Sequence, residues 1–263
     1  MKFILLALRS LRHFRAYSAL NVLGLTLSLV CVIVIFRYVH GELTVDHFNS
    51  HLERMFVTYE EESNRPGMLR FSGVFNPNNE SNFVDLSKHP GVELHALFFT
   101  MDDGELVYRE RKYNAKVLVT DTYFMQILDY PVVEGTRNIV QPEDVLVTKA
   151  FAEKIFGEES PIGKTIRYVS LDKELRIIGV IGQPATKSTL SFDLVLSVQL
   201  YPRPIKMPQS LLLLYPGVNY QDINAQYNSF MEMKVWGYGI RYQLFPYKDV
   251  YFESSIMDYS DYA

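Results

Sequence analysis

His47 and His51 stand four residues apart, with Asp46 and Glu53 close by. On a helix this spacing puts two imidazoles on one face, as a metal site would need. A third strong ligand and a His-Glu-x-x-His pattern are both lacking, so the pair reads as part of a solvated helix without metal. Residues 157–165, Gly-Glu-Glu-Ser-Pro-Ile-Gly-Lys-Thr, have the outline of a phosphate-binding loop. Five residues separate the glycines where that loop has four, and two of the five are acidic. The segment also follows a helical pattern and precedes a strand pattern, the reverse of the strand–loop–helix order that phosphate binding needs. Lys164 is therefore read as a turn residue, and no cofactor is expected.

The remaining chemistry-bearing residues are as easily explained by structure. Asp102-Asp103 and Glu158-Glu159 are adjacent acids in turn-like sequence, which solvation accounts for. Ser188 and Ser191 lack a nucleophile-elbow context. His89 reads as a helix-stop residue and His95 as a strand residue. Cys31 sits in an apolar run, where a thiolate is disfavoured; a single cysteine forms no internal disulfide and no cysteine-based zinc site. The expectation is a protein with no catalytic, cofactor-binding or metal-binding residues.

The elements that would carry these residues divide by charge. Among the 263 residues, Lys and Arg number 26 and Asp and Glu 30. Residues 1–36 hold Lys2, Arg9, Arg12 and Arg15 and no acid, or +4, which leaves −8 for residues 37–263. An apolar fraction of 48% excludes wholesale disorder, and the net charge of −4 argues against a nucleic-acid binder.

Residues 16–36 form a run without charge, about 31 Å long as a helix against a hydrocarbon core of about 30 Å. Twelve of them are Leu, Ile, Val or Phe. At their usual transfer energies these favour insertion by about 4–7 kcal/mol before polar corrections. Asn21, Gly24, Thr26 and Ser28 lie toward the first half, where they can face another helix, and Gly24 and Ser28 form a small-xxx-small pair. A cleaved signal peptide would have a shorter apolar region and a small-residue cleavage site, and residues 36–40, Phe-Arg-Tyr-Val-His, contain none. Residues 16–36 are therefore expected to be a retained transmembrane helix. The preceding basic residues put the N-terminus in the cytoplasm and the rest outside. Residues 1–15 repeat Phe3, Ile4, Ala7, Leu8, Leu11 and Phe14 at helical spacing opposite a basic face, as a helix lying on the cytoplasmic leaflet would.

Residues 37–263 predict an α+β extracytoplasmic domain, in two lobes joined by the Pro-rich residues 201–208. Strands are expected at 55–59, 112–120, 145–147, 192–198, 211–215 and 240–245. Residues 64–67 read as a turn. One hairpin is expected from 92–100 and 105–109 across 101–104, and another from 165–170 and 175–181. Helices are expected at 79–88, at 121–128 with Asp121 as cap, at 149–156 between Thr148 and Gly157, and at 220–234. Regular βαβ alternation and repeats are not evident.

Several segments in order resemble the MacB/FtsX-like ABC transporter permeases, in particular their periplasmic core domain. Leu8-Arg9-Ser10-Leu11-Arg12 and Tyr17-Ser18-Ala19-Leu20-Asn21-Val22-Leu23-Gly24-Leu25 are similar to the family's first membrane helix. Glu42-Leu43-Thr44-Val45-Asp46-His47-Phe48 and Glu53-Arg54-Met55-Phe56 resemble the lead into its first strand. The most specific part is Asp121-Thr122-Tyr123-Phe124, Val147-Thr148-Lys149, Ala152-Glu153-Lys154-Ile155-Phe156-Gly157 and Pro161-Ile162-Gly163-Lys164-Thr165. Ile178-Gly179-Val180-Ile181, Ser191-Phe192-Asp193 and Leu244-Phe245-Pro246-Tyr247-Lys248-Asp249-Val250-Tyr251-Phe252 complete it. Thr189 departs from the pattern, where a histidine is expected after Ser188.

The resemblance implies a non-catalytic permease subunit in the bacterial inner membrane, coupling ATP hydrolysis by a partner to movement of a periplasmic domain. Its implied partners are a cytoplasmic ABC ATPase subunit, a second permease copy or homologue, the membrane and a periplasmic partner protein, with no nucleic acid. Such permeases have at least four membrane helices and this sequence has one apolar run, so it is expected to be a truncation, an interrupted frame or a piece of a longer chain. The alternative is a single-pass anchored binding or sensor module without an ATPase.

The charge asymmetry generates a test of topology. In a Cys31→Ser background, Ser10→Cys should resist an impermeant thiol reagent in intact cells and Ser254→Cys should react. The opposite labelling pattern would invert the orientation.

Overall fold

The computed structural model describes residues 15–64, 69–71, 86–201, 209–226, 231–233, 238–253 and 256–257. Residues 1–45 and 46–263 form two compact units.

The first unit contains α1 (Arg15–Leu43), which has no buried residue and is long and apolar enough to cross a membrane. It extends beyond the charge-free run because residues 37–43 contain neither proline nor a capping turn. Its polar residues satisfy themselves: the Thr26 hydroxyl donates to the Val22 carbonyl at 2.7 Å and the Ser28 hydroxyl to that of Gly24 at 2.9 Å. Such bonds remove most of the cost of placing a hydroxyl in hydrocarbon. Residues 1–14, which carry the expected interfacial helix, lie outside the described residues.

The second unit is α+β, with strands dominating. Its first half contains β1 (Met55–Glu62), β2 (Leu69–Phe71), β3 (Val92–Tyr108), β4 (Arg111–Thr120), β5 (Val132–Gly135) and β6 (Asp144–Thr148). The second half adds β7 (Thr165–Tyr168), β8 (Lys173–Ile181), β9 (Leu194–Ser197), β10 (Gln209–Leu214), β11 (Met231–Met233), β12 (Tyr238–Pro246) and β13 (Ile256–Met257). Among the described residues, four short helices join them: α2 (Phe124–Ile127), α3 (Lys149–Phe156), α4 (Tyr220–Gln226) and α5 (Tyr247–Val250).

One sheet runs through the unit in the order β11-β12-β1-β10-β3-β4-β9-β6-β8-β5. β1 is buried along its whole length and pairs antiparallel with both β12 and β10, so that Val57 lies opposite Phe245 on one side and Leu211 on the other. The core has two large clusters on this sheet. One gathers Met55, Tyr59, Phe98, Phe124, Tyr130 and Tyr247, and the other Leu106, Val117, Phe151, Phe156, Ile166 and Tyr168. The two expected lobes therefore share a single sheet. The residues expected to join them, 202–208, lie outside the described residues, as do 65–67, 79–85 and 227–230.

Local signals explain α3. The Thr148 hydroxyl accepts from the Phe151 amide at 3.3 Å, and Gly157 ends the helix at φ +64°. β6 and β8 are parallel, with α3 in the crossover between them, a βαβ-type connection that the strand pattern did not suggest.

Three expectations are corrected. β3 runs unbroken from Val92 to Tyr108, so the hairpin turns at Arg109–Glu110 and Asp102-Asp103 lie in a strand. Gly104 is there for close packing: a Cβ at that position would stand 2.3 Å from a Val117 methyl. Arg109 and Glu110 supply the two left-handed conformations of the turn, at φ +46° and +68°. Of the helix expected at 220–234, Tyr220–Gln226 is helical among the described residues, and residues 231–233 form β11 paired with β12. Asn224 closes off that region by bonding both the amide and the carbonyl of Leu244. Of the helix expected at 79–88, the described part, Leu86–Lys88, is one 3-10 turn.

Gly179 packs where β8 meets residues 135–136, and a Cβ there would stand 2.1 Å from the Thr136 carbonyl oxygen. Because the obstacle is backbone, Gly179→Ala should destabilise the full chain by about 3 kcal/mol in a chemical melt. Thr148→Ala, which removes only a cap, should cost about 1 kcal/mol. An unchanged Gly179→Ala midpoint would refute this account of the packing.

Candidate functional site

A buried polar constellation in the second unit surrounds its first residue. Asp46 is buried and takes a left-handed conformation at φ +61°, which aspartate tolerates better than most residues. Its amide donates to the Lys187 carbonyl at 2.7 Å. Its carbonyl accepts from the Asn49 amide at 3.0 Å and the Asn49 side chain at 2.9 Å. Its carboxylate accepts from the Thr189 amide, at 3.1 Å to Oδ1, and from the Thr189 hydroxyl.

The neighbouring residues extend the junction to a third segment. The Phe48 amide donates to the Thr186 hydroxyl at 3.2 Å. The Asn49 side-chain oxygen accepts from the Asp129 amide at 3.0 Å, while the Asp129 carboxylate accepts from the Ser50 amide at 2.7 Å and the Ser50 hydroxyl at 2.6 Å. Tyr130 packs on Phe48 and Phe192, and its hydroxyl lies 2.6 Å from that of Ser188. Residues 46–50, 129–130 and 186–192 are thus held together by side chains that meet backbone groups far away in sequence.

Burial controls the electrostatics. Desolvation raises the Asp46 pKa above the ordinary aspartate value, opposed by the hydrogen bonds from Thr189 and Ser188 and by nearby His47. Tyr247, at the start of α5, is fully buried, which pushes its hydroxyl pKa well up, with the charge of Asp46 adding to the effect. The Tyr247 hydroxyl has no hydrogen-bond partner among the described residues.

His47 and His51 are both exposed, and the residues around them form turns and a 3-10 element, Leu52–Arg54, where a solvated helix was expected. The left-handed Asp46 and the bonds from Asn49 and Ser50 to Asp129 prevent helical continuation. Among the described residues, no three His, Cys, Asp or Glu side chains stand close enough to hold a metal ion. Lys164 lies over the Phe156 ring at 4.8 Å and pairs with Glu159 at 2.5 Å. The Gly163 amide donates to the Ile177 carbonyl at 2.8 Å and the Lys164 amide to that of Pro161 at 3.0 Å, so these amides are occupied by protein.

His89 accepts from the Gly91 amide at 3.0 Å, and His95 meets Ser210 across β3 and β10 at 3.0 Å. The helix expected at 121–128 is the shorter α2, with Tyr123 at its N-cap; Asp121 lies two residues earlier, accepting from the Tyr123 amide at 2.9 Å and the Phe124 amide at 3.3 Å, and also takes the Leu97 amide at 2.8 Å. Sequence reasoning missed Asn49, Asp129, Tyr130 and Tyr247, which carry no local signature. Thr189 did signal itself, as a departure at a position that meets Asp46.

The fold is an α+β domain that follows, along the chain, a helix long and apolar enough to cross a membrane. The family model described as MacB-like periplasmic core domain matches residues 18–229, and the chain belongs to that family. A domain assigned to a permease protein from Porphyromonas gingivalis has the same fold, with a TM-score of 0.59 at 19% identity, covering 75% of this chain and 92% of that one. The periplasmic region of MacB from Actinobacillus actinomycetemcomitans aligns with a TM-score of 0.48 at 13% identity, covering 66% and 80%. The pyoverdine export ATP-binding/permease protein PvdT of Pseudomonas aeruginosa is 33% identical over 96 residues, 34% of this chain and 14% of its own length. The chain therefore spans only a small part of that curated relative.

The Asp46 environment fixes the sign of a pH effect. Because its folded-state pKa is raised, the folded protein binds the proton more tightly than the unfolded chain does. The stability Asp46 contributes is complete below the ordinary aspartate value and is lost as pH rises through the raised one. The midpoint of Asp46→Asn, which keeps an acceptor for Thr189 but does not titrate, should therefore gain on wild type as pH is raised from 3.5 to 7. A gap that narrows over that range would reverse the sign.

Proposed function

We propose that the chain serves as a non-catalytic permease subunit, or the N-terminal part of one, in a MacB/FtsX-like ABC transporter. In this reading α1 spans the bacterial inner membrane with its N-terminus in the cytoplasm, and residues from Asp46 onward work in the periplasm. A cytoplasmic ABC ATPase supplies the energy. The membrane helices carry its motion outward, and the periplasmic domain moves a substrate or a periplasmic partner protein. Further membrane helices come from more of the same polypeptide or from a second permease copy or homologue, for which the Asn21, Gly24 and Ser28 side of α1 offers a packing surface.

The observation that carries this reading is the match over residues 18–229, which begins in the apolar helix and continues into the domain. The junction suits the task. A pull on the chain just before Asp46 reaches a residue hydrogen-bonded to Lys187 and Thr189, while Asn49 and Ser50 pass it to Asp129. A displacement there is shared by three segments instead of being absorbed by a loose linker.

The chain purified from its native membrane should bring an ATP-binding subunit with it and should alter that subunit's ATPase rate. Lys164→Ala should leave both the association and the nucleotide affinity of the complex unchanged. Recovery of the chain without any ATP-binding subunit would make it an anchored binding module instead.

A further inference from the structure

The residues that follow Val45 are tied to the rest of the second unit in two places, and the two ties differ in their exposure to water. The inner tie is at Asp46, which is 1% exposed. Its amide donates to the Lys187 carbonyl, and its carboxylate accepts from the Thr189 amide and hydroxyl. The outer tie is at Asp129. Its carboxylate accepts from the Ser50 amide and hydroxyl at the surface, and its amide donates to the Asn49 side-chain oxygen. Opening them costs different amounts. Water reaches Ser50 and the Asp129 carboxylate and replaces each bond as it breaks, so only the small net worth of those bonds is lost. Separating Asp46 from Thr189 leaves a buried carboxylate without donors, which costs far more.

Between the ties lies a turn with bonds of its own. The Asn49 amide and side chain both hold the Asp46 carbonyl, at 3.0 and 2.9 Å, so residues 46–49 move as one piece. Beyond the outer tie, Leu52 is buried in the core, and Arg54 binds Glu93 and the Leu214 carbonyl, each at 2.7 Å. The chain is therefore fixed again where β1 begins. Residues 47–51 are a strap between two anchors, held in its middle by Asp129.

We propose that Asp46 is a pivot and the Asp129 tie a clip, so that the strap has a clipped and a released state. On release Asn49 and Ser50 leave Asp129 together, while Asp46 keeps Lys187 and Thr189. Phe48, next to the pivot, bonds Thr186 in the same loop as Thr189 and stays with the inner tie. Tyr130 stays in the core, so the lead into β5 keeps its place and loses only its link to the strap. A displacement entering at Val45 reaches the β8–β9 loop in both states, but the lead into β5 only when the strap is clipped. The inference goes beyond the transport reading and stands with or without an ATPase, since both states belong to this chain.

Amide hydrogen exchange of the full chain in detergent micelles, followed residue by residue by NMR, tests it. Each tie includes backbone amides: Ser50 and Asp129 report the clip, Thr189 reports the pivot, and the amides of β6 serve as a reference for global stability. Relative to their rates in an unstructured peptide, Ser50 and Asp129 should exchange alike, and about a hundredfold faster than Thr189. Asp129→Asn removes the charge that Ser50 donates to. It should speed exchange at Ser50 by about tenfold and leave Thr189 and β6 unchanged. Thr189→Val, which takes a donor from the pivot, should speed exchange at residue 189 by about tenfold and leave Ser50 unchanged. Equal protection of Ser50 and Thr189 in the wild type would overturn the proposal, because the root would then open as a single unit. Slower exchange at Ser50 than at Thr189, or a Ser50 amide that Asp129→Asn does not move, would overturn it as well. The wild-type comparison needs no variant, so it decides the matter even where a variant fails to fold.

Discussion

A carboxylate taken out of water needs donors to replace the water it loses, and Asp46 finds them on Thr189, 143 residues further along the chain. Most of the domain's architecture serves to bring those two residues together. β1 has to leave the junction in one direction, and β8 has to return to it and hand over to β9. In between, the chain builds six of the ten strands in the order, β1, β3, β4, β5, β6 and β8. The bond is local in space and long in sequence, so it closes only when β1 and β8 have been brought together.

The sheet order makes this more specific. Residues 46–54 run into β1, residues 129–131 into β5, residues 182–193 join β8 to β9, and Tyr247 follows β12. β12 and β1 lie toward one end of the order, while β9, β8 and β5 lie toward the other. The junction therefore links strands that the ladder itself separates by β10, β3 and β4. One core cluster contains Met55 and Val57 from β1 together with Leu146 from β6, Ile181 from β8 and Val195 from β9. Hydrophobic packing closes the sheet over this cluster, and the Asp46 hydrogen bonds set the register of the segments at its end. Packing alone would tolerate a small slip between them, but a buried carboxylate with fixed donors does not.

What was legible in the sequence follows the range of the forces involved. α3 could be read to the residue because its signals, a threonine cap and a terminal glycine, lie within one turn of its ends. α1 was legible because a charge-free run of 21 residues needs no tertiary context. Asp121 was recognisable as an acceptor for the amides at the start of α2, although its bond to Leu97 was not. The misreadings occur where a distant group decides. Gly104 looks like a turn glycine and is there to make room for Val117. Residues 46–53 look helical, but Asp129 and Lys187 draw their backbone into turns. The run from 220 to 234 looks like one helix, while Asn224 is bonded to Leu244 and the last residues pair with β12. The resemblance could be read because it rests on the order of many such segments, and those segments mark caps, close approaches and the junction.

Thr189 shows how such a motif should be understood. The family pattern leads one to expect histidine there, and the threonine at first reads as an unexplained departure in a loop. In the structure its amide and its hydroxyl both donate to Asp46. The requirement at this position is thus for hydrogen-bond donation to a buried carboxylate, which a hydroxyl meets as an imidazole N–H would. The two differ in what happens when the bond is broken. A histidine can carry a charge and would hold the carboxylate by attraction over several ångströms. A threonine has no such reach, and its bond is either made or lost. A bond of that kind suits a packed junction, which changes between discrete arrangements and does not stretch.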